Sequence, residues 1–513
     1  MKRNIGTVIT IEKPIQEKCG IVGVFTPRFS KNVPLALVAA SGVQHRGPQG
    51  AGMAMQTRNG IRKYVGDGLL KHVFTHERVE KLNLPARWII VHCRYGTFGG
   101  YLKHNLQPCH IKTSAGQTVV VVHNGEFTAT DKLQKKVSGK LPQGASDTYM
   151  FTQLLGQIKG KTWDEKITQA VDAVQGAFSL MIGIKDSLYV IRDALGIRPL
   201  ILGQLNEGGW MIASETHAFS KVHVKVKREV YPGEIIKIDT KGLHLIRQGT
   251  QGKGNFCDFE WAYFSRPDSL FPAYHTQNDG GDPTKWMSVA AFRERCGQIL
   301  AKEHPLPYAS FVVGVPDSGI NVAIGYANIT KIPYRQTMIR DHFDSNGEQR
   351  LFLRDDDMAK IKAKVLGKIS FIPDRAIWKD AIVVIGGDSI VRGNVSEKIT
   401  EAAFALGARE VHWIVGFPPV MHPCHLGVSM RTGAELIAQV RGGDPIKIAE
   451  TIGATSVNYI SPKGFIQAKV GEKILHPRDE RELFLVNGGC GGCLTGIYPV
   501  DREGVLYASH EAH

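Results

Sequence analysis

The chain has 513 residues, and 63 Lys plus Arg against 48 Asp plus Glu leave a formal net charge of +15. Its 43% hydrophobic and 22% charged residues exclude wholesale disorder, and its length suits two or three domains. No apolar run reaches the ~20 residues of a membrane span, no Lys/Arg block marks nucleic acid, and eight cysteines are too few for a disulfide scaffold.

The expectation is therefore a cytoplasmic protein with neither membrane nor nucleic-acid partners, whose positive surplus suits anionic small molecules. Its first 18 residues, MKRNIGTVITIEKPIQEK, are too charged and too briefly apolar for a secretory signal. From Cys19 to about residue 250, runs such as CGIVGVF, AGMAMQ, RWIIVHCRYG, TVVVVHNG, AFSLMIGI and EIIKID predict short strands separated by turns. Helical periodicity intervenes near residues 33–43, 146–157 and 164–175, which together predict a layered α+β unit. After about residue 305 the pattern changes. SFVVGVPDSG runs into NVAIGYANIT, and AIVVIGGDS runs into NVSEKITEAAFALG, followed by REVHWIVGF. These strand–loop–helix units predict a parallel sheet with ligands at the carboxyl ends of its strands. The boundary falls near 250–256, in QGTQGKGN, and the tail beyond 476, with its GGCGGC, reads as an irregular cap.

Several residues admit more than one chemistry. Cys19 opens an apolar strand, where it could be a small core residue; an activated thiol would need a base, and no histidine is near in sequence. A free α-amino group, with a pKa of about 7.7–8.0, could serve if residues 1–18 were removed. Arg94 could be a solvated strand end, HNG a routine turn, and Asp147 the N-cap of the helix beginning TYMF. Cys490 and Cys493 form a Gly-flanked CxxC that could hold zinc, form a redox pair or ligate a cluster.

The blocks CGIVGVF, QHRGPQGAGMA, HCRYGTFGG, VVHNGEF, SDTYMF, GAFSLMI, IRDALGIRPLILG, ASETHAF and YPGEIIKID occur in order. This series resembles the glutaminase domain of N-terminal-nucleophile glutamine amidotransferases. EWAYFSRPDS, VVGVPDSGINVAIGYA, GGDSIVRGN and PPVMHPC extend the likeness to the amidophosphoribosyltransferase family over nearly the whole chain. The resemblance implies an αββα N-terminal-nucleophile domain at 19–250, after an 18-residue propeptide (1–18). It further implies an α/β phosphoribosyltransferase-type domain at 257–475 and a cap at 476–513.

It also implies roles. Cys19 would be the nucleophile, with Asn124 and Gly125 as the oxyanion hole. Arg94 would hold the carboxylate of glutamine and Asp147 its ammonium group, with Arg46 and Gly47 lining the pocket. Cys257, Cys424, Cys490 and Cys493 would ligate a 4Fe–4S cluster. Asp388, Ser389, Arg392 and Gly393, with Asp317 and Ser318 of the PDSG turn, would bind phosphoribosylpyrophosphate, and Asp388 would also hold Mg²⁺. A homotetramer is the assembly implied.

The acceptor loop departs from the family pattern of two adjacent acids followed by two threonines. Gly387 stands at the first acid, and Asn394 and Val395 replace the threonines. The mobile loop of the family is altered too: His342 sits at an arginine position, SNGEQ looks inserted before Arg350–Leu353, and Lys360, Lys362 and Lys364 follow. The leading expectation is glutamine-dependent formation of phosphoribosylamine. A paralogue delivering ammonia to another phosphorylated or nucleotide-like acceptor, and a non-catalytic regulatory homologue, are the alternatives.

Overall fold

The computed structural model describes residues 19–95, 102–206, 208–252, 254–272, 281–340 and 369–507. The expected propeptide and the altered loop with His342, Arg350–Leu353, Lys360, Lys362 and Lys364 lie outside them.

Strands of the first half are β1 (Gly20–Ser30), β2 (Gly50–Thr57), β3 (Gly60–Asp67), β4 (Ala86–Arg94), β5 (Cys109–Lys112), β6 (Thr118–Phe127) and β7 (Gly176–Ile184). They continue as β8 (Ser187–Arg192), β9 (Ile201–Gln204), β10 (Trp210–Ala213), β11 (Lys225–Glu229), β12 (Ile235–Asp239) and β13 (Gly242–Arg247). One antiparallel sheet runs β11-β9-β10-β1-β4-β2-β3 and a second runs β13-β12-β8-β7-β6-β5.

Successive side chains of each strand point to opposite faces, and this decides the layers. Ile21, Phe25, Trp88 and Ile90 from the first sheet meet Val120, Val122, Met181 and Val190 from the second. Their neighbours Val22, Val24, Ile89 and Val91 turn outward, against Ala36, Ala39 and Ala40 of the helix Val33–Ser41. Val119, Val121, Leu180 and Ile182 likewise turn outward, beneath Phe151, Leu155 and Ile167 of the helices Asp147–Gln157 and Trp163–Asp172. The result is the expected αββα sandwich. Each fully buried Val, Ile or Phe contributes about 1.5–3 kcal/mol to it.

One expectation needs correction. Ser146, not Asp147, caps the helix Asp147–Gln157: its hydroxyl accepts the Tyr149 N–H at 3.1 Å. Ser146 has the extended backbone a cap requires, whereas Asp147 is already in the first turn and its carboxylate is directed elsewhere.

In the second half, strands Phe311–Gly314, Ile382–Gly387, Glu410–Val415 and Ser456–Tyr459 form one parallel sheet in that order. Val312, Val384 and Ile414 face one core. Val313, Val383, Ile385, Val411 and Trp413 face the other. This burial on both sides is why these strands read as nearly continuous apolar runs. The short strand β14 (Phe256–Cys257) pairs in parallel with Gly489–Cys490, so the tail is stitched to the start of the second half. Among the described residues no helix is long and apolar enough to cross a membrane.

Candidate active sites

The first site gathers at the ends of β1, β4 and β6. Antiparallel pairing sets Gly20 opposite Cys93, which brings Cys19 to the end of β4 where Arg94 stands. Cys19 is buried, and its thiol donates a long contact of 3.9 Å to the Tyr95 carbonyl. Arg46 Nε donates to the Cys19 carbonyl at 3.4 Å. Gly47 lies directly against the Cys93–Arg94 backbone.

Asn124 and Gly125 sit in β6, opposite Ser179 and Phe178 of β7. Gly125 has a φ of +143°, and a Cβ there would lie 1.9 Å from the Ala177 carbonyl oxygen, so only glycine is accommodated. The Asn124 side chain is fully buried, yet neither its amide nitrogen nor its oxygen has a hydrogen-bond partner among the described residues. A buried amide left unpaired costs about 1–3 kcal/mol. That cost has an explanation if the amide is aimed at charge that develops only during reaction.

Asp147 is buried nearby. Its Oδ2 accepts the Phe127 N–H at 3.1 Å and its Oδ1 accepts the Thr148 N–H at 2.7 Å. Arg94 donates to the Asn105 carbonyl, while the Asn105 side chain accepts the Ser146 N–H at 2.8 Å. Arg94 and Asp147 are therefore held on one framework. A guanidinium and a carboxylate held this way are the two groups that the carboxylate and ammonium of an α-amino acid call for.

The second cluster is made of thiols. Cys257, Cys424, Cys490 and Cys493 line one pocket with Ile197, Arg198, Phe259, Leu426, Val428 and Tyr498. β14 pairing sets Cys257 beside Cys490, and the Met421 and His422 N–H groups both donate to the Cys493 carbonyl at 2.9 Å. Burial pushes the Cys257 thiol up to about 12. Burial and the neighbouring thiols raise Cys490 and Cys493 well above their ordinary range. Burial thus favours the neutral thiols, and their thiolate forms would need a bound cation for charge compensation. Among the described residues no three His, Cys, Asp or Glu side chains converge to share a single ion. Cys93, Cys109 and Cys296 are buried apart in the packing.

The third site lies at the carboxyl edge of the parallel sheet. Ser318 donates to Asp388 Oδ2, and Ser389 donates to its Oδ1 at 2.6 Å. Burial raises the Asp388 carboxyl above its ordinary value, against the lowering effect of both hydroxyls and Arg293. Asp317 pairs with Arg340. Gly393, with a φ of +87°, precedes the helix Asn394–Leu406. Arg392 is turned onto Glu435, at 2.9 Å from Nε to Oε2, and onto the Ser429 carbonyl. Gly387 faces the ring of Trp413, whose atoms lie 3.2 and 3.4 Å from where a Cβ would stand.

Sequence reasoning missed the buried charges behind Cys19. Arg46 Nη1 donates to Glu215 at 2.5 Å, and Nη2 donates to Glu260 at 2.7 Å. Arg198 also reaches Glu260, at 3.2 Å. Burial by itself would raise the Glu215 carboxyl, but His45 and Arg46 hold it well below the carboxylate range. All three lie in the blocks ASETHAF, EWAYFSRPDS and IRDALGIRPLILG, yet no spacing in those blocks marks them as partners.

An αββα unit with a buried thiol, a nearby buried arginine and aspartate and an amide unpartnered among the described residues, joined to a parallel sheet with a loop site, defines a glutamine amidotransferase. Residues 99–221 match the family model described as glutamine amidotransferase domain. The amidophosphoribosyltransferase of Homo sapiens is 32% identical, aligning over 96% of this chain and 99% of that protein. The chloroplastic enzyme of Glycine max is 32% identical over 96% of this chain and 80% of that one. The solved glutamine phosphoribosylpyrophosphate amidotransferase of B. subtilis, complexed with ADP and GMP, superimposes with a TM-score of 0.79 at 29% identity, covering 95% of this chain and 99% of that chain. The chain belongs to the amidophosphoribosyltransferase family.

Proposed function

We propose that this chain forms 5-phosphoribosylamine, using ammonia released from glutamine at Cys19. The observation that carries the reading is the buried Asn124 amide, unpartnered among the described residues, on β6 close to Asp147. Residues 19–250 form the glutaminase, 257–475 the acceptor domain and 476–513 the cap, with residues 1–18 removed on maturation.

Glutamine is held by its carboxylate on Arg94 and its ammonium group on Asp147. The freed α-amino group of Cys19 takes the thiol proton, and the sulfur attacks the carboxamide carbon. Negative charge gathers on the carboxamide oxygen, where the Asn124 amide and the Gly125 N–H receive it. As the C–N bond breaks, the α-ammonium returns its proton and ammonia leaves. Water, deprotonated by the same amine, then cleaves the thioester to glutamate. Ammonia attacks the anomeric carbon of phosphoribosylpyrophosphate and pyrophosphate departs. Asp388, Ser389, Arg392, Gly393, Asp317 and Ser318 bind this acceptor.

The lone carboxylate of Asp388, flanked by two hydroxyls, fits a Mg²⁺ that takes its other oxygens from water and substrate phosphates. Held by Asp388, it would supply positive charge for the pyrophosphate leaving group. Four buried thiols around one apolar space fit a 4Fe–4S cluster, held by Cys257, Cys424, Cys490 and Cys493. Held there, it would cross-link three distant segments.

Gly387 favours a second reading, in which ammonia goes to a different phosphorylated acceptor. Trp413 packs against the position at which the family places a carboxylate. Glutaminase assays with phosphoribosylpyrophosphate decide between the two. Stimulation with consumption of the compound supports the first reading; active glutaminase that ignores it supports the second.

A further inference from the structure

We infer that Glu260 and Arg198 are positioning residues of the glutaminase: with Arg46 they form a buried relay that holds the nucleophile's main chain from the second half of the molecule. The inference rests on Cys19 being the nucleophile.

The relay is continuous. Arg46 donates to the Cys19 carbonyl at 3.4 Å and to Glu260 at 2.7 Å. Arg198 donates to the same Glu260 oxygen at 3.2 Å and to the Leu426 carbonyl at 2.8 Å. The Leu426 N–H in turn donates to the Cys424 sulfur at 3.3 Å. The side chains of Arg46, Glu215 and Glu260 are 0% exposed and that of Arg198 is 1% exposed.

An arginine so enclosed presents no fork to a soluble substrate. The donors that reach Glu215, Glu260 and the Cys19 carbonyl make Arg46 a brace for the residue that carries the thiol. Two guanidinium and two carboxylate groups balance in charge, with His45 on Glu215 at 2.8 Å and the hydroxyls of Ser265 and Ser269 completing the carboxylates. Burying four ions is costly where apolar packing would suffice, so the arrangement suggests a geometric purpose. Without Glu260, two guanidinium groups would face each other and Arg46 would swing away from Cys19.

The electrostatics supply a test that packing alone does not mimic. Among the described residues the charged and titratable groups around Cys19 include Arg46, Cys93, Arg94 and Tyr95, with Glu215 and His45 behind Arg46 and Arg293 acting on Glu215. Changing a charge in the relay changes the potential at the α-amino group of mature Cys19. Glu260→Gln is nearly isosteric and leaves one positive charge in excess. Arg198→Gln leaves one negative charge in excess.

The experiment compares kcat, KM and the acidic limb of the glutaminase pH profile in mature wild-type, Glu260→Gln, Arg198→Gln and Arg198→Lys proteins. Both Gln variants should lose on the order of tenfold or more in kcat with KM changed less than about threefold, since Arg94 and Asp147 are untouched. The limb should move down in Glu260→Gln and up in Arg198→Gln, each by about half a pH unit to one unit. Arg198→Lys, which keeps the charge, should retain the wild-type limb. Limbs that stay put, or move in the same direction, overturn the relay. Cys19→Ser separates this from the underlying reading: if it retains full activity, the nucleophile assignment itself is wrong.

Discussion

Replacing Asn124 by Ala should weaken catalysis severely without weakening the fold. In most cores, truncating a fully buried polar side chain breaks hydrogen bonds and destabilises. Here the amide has no partner among the described residues, so its burial already costs about 1–3 kcal/mol, which truncation relieves. Against that stands the cavity left by three atoms, roughly 25 Å³ at ~24 cal/mol per Å³, or about 0.6 kcal/mol. The backbone pairing of Asn124 with Ser179 is untouched. The net change should lie between about zero and 2 kcal/mol in favour of the variant, which raises Tm by at most about 8 °C for a unit of this size. Loss of one oxyanion donor should lower kcat for glutamine hydrolysis by about 10²–10³, or 2.7–4 kcal/mol, with KM nearly unchanged. Steady-state ammonia release and a circular-dichroism melt of the same preparation measure both. A kcat within threefold of wild type would refute the oxyanion role. A Tm lowered by more than about 8 °C would show that the amide is structural.

Gly387→Asp restores an acid to the acceptor loop but sets its Cβ 3.2 Å from the Trp413 ring, which is anchored by its N–H on Thr400 at 2.9 Å. It should destabilise by about 1–3 kcal/mol through overpacking and should couple favourably with Trp413→Leu in a double-mutant cycle. Strict additivity of the two changes would count against that contact. Glu215→Gln should be less stable than wild type at pH 7. The folded carboxyl lies below its ordinary 4.5, so its contribution is present above 4.5 and is lost as the pH falls through the lower folded value. The Tm gap between the two proteins should therefore close as the pH falls below about 4.5; a constant gap would contradict the ion-pair reading. Protein purified without oxygen should be brown, and Cys257→Ser should remove the broad absorbance near 400 nm and lower Tm. Colourless wild-type protein containing zinc would disprove the cluster.

Much of the fold was legible because its signals are local. The turn-bounded apolar runs CGIVGVF and TVVVVHNG fall in β1 and β6, although only the folded sheets show which of their side chains meet between the sheets and which lie under helices. The helices at 33–41, 147–157 and 163–172 lie where periodicity predicted them. The cap was misread by one residue, because Ser and Asp are equally good caps in sequence and only backbone geometry separates them.

By itself the sequence determined the strand-rich first half, the strand–loop–helix second half, the family and the residue types at the three sites, since turn-bounded apolar runs, helical periodicity and ordered blocks are properties of short segments. Only the tertiary structure decided what each group faces. It left the Asn124 amide without a partner among the described residues, brought Cys257, Cys424, Cys490 and Cys493 from three separate segments into one pocket, and set Trp413 against Gly387. It also joined Cys19 to Glu260 through Arg46. Burial and charge pairing depend on which distant segments meet, and no local pattern encodes a partner more than two hundred residues away.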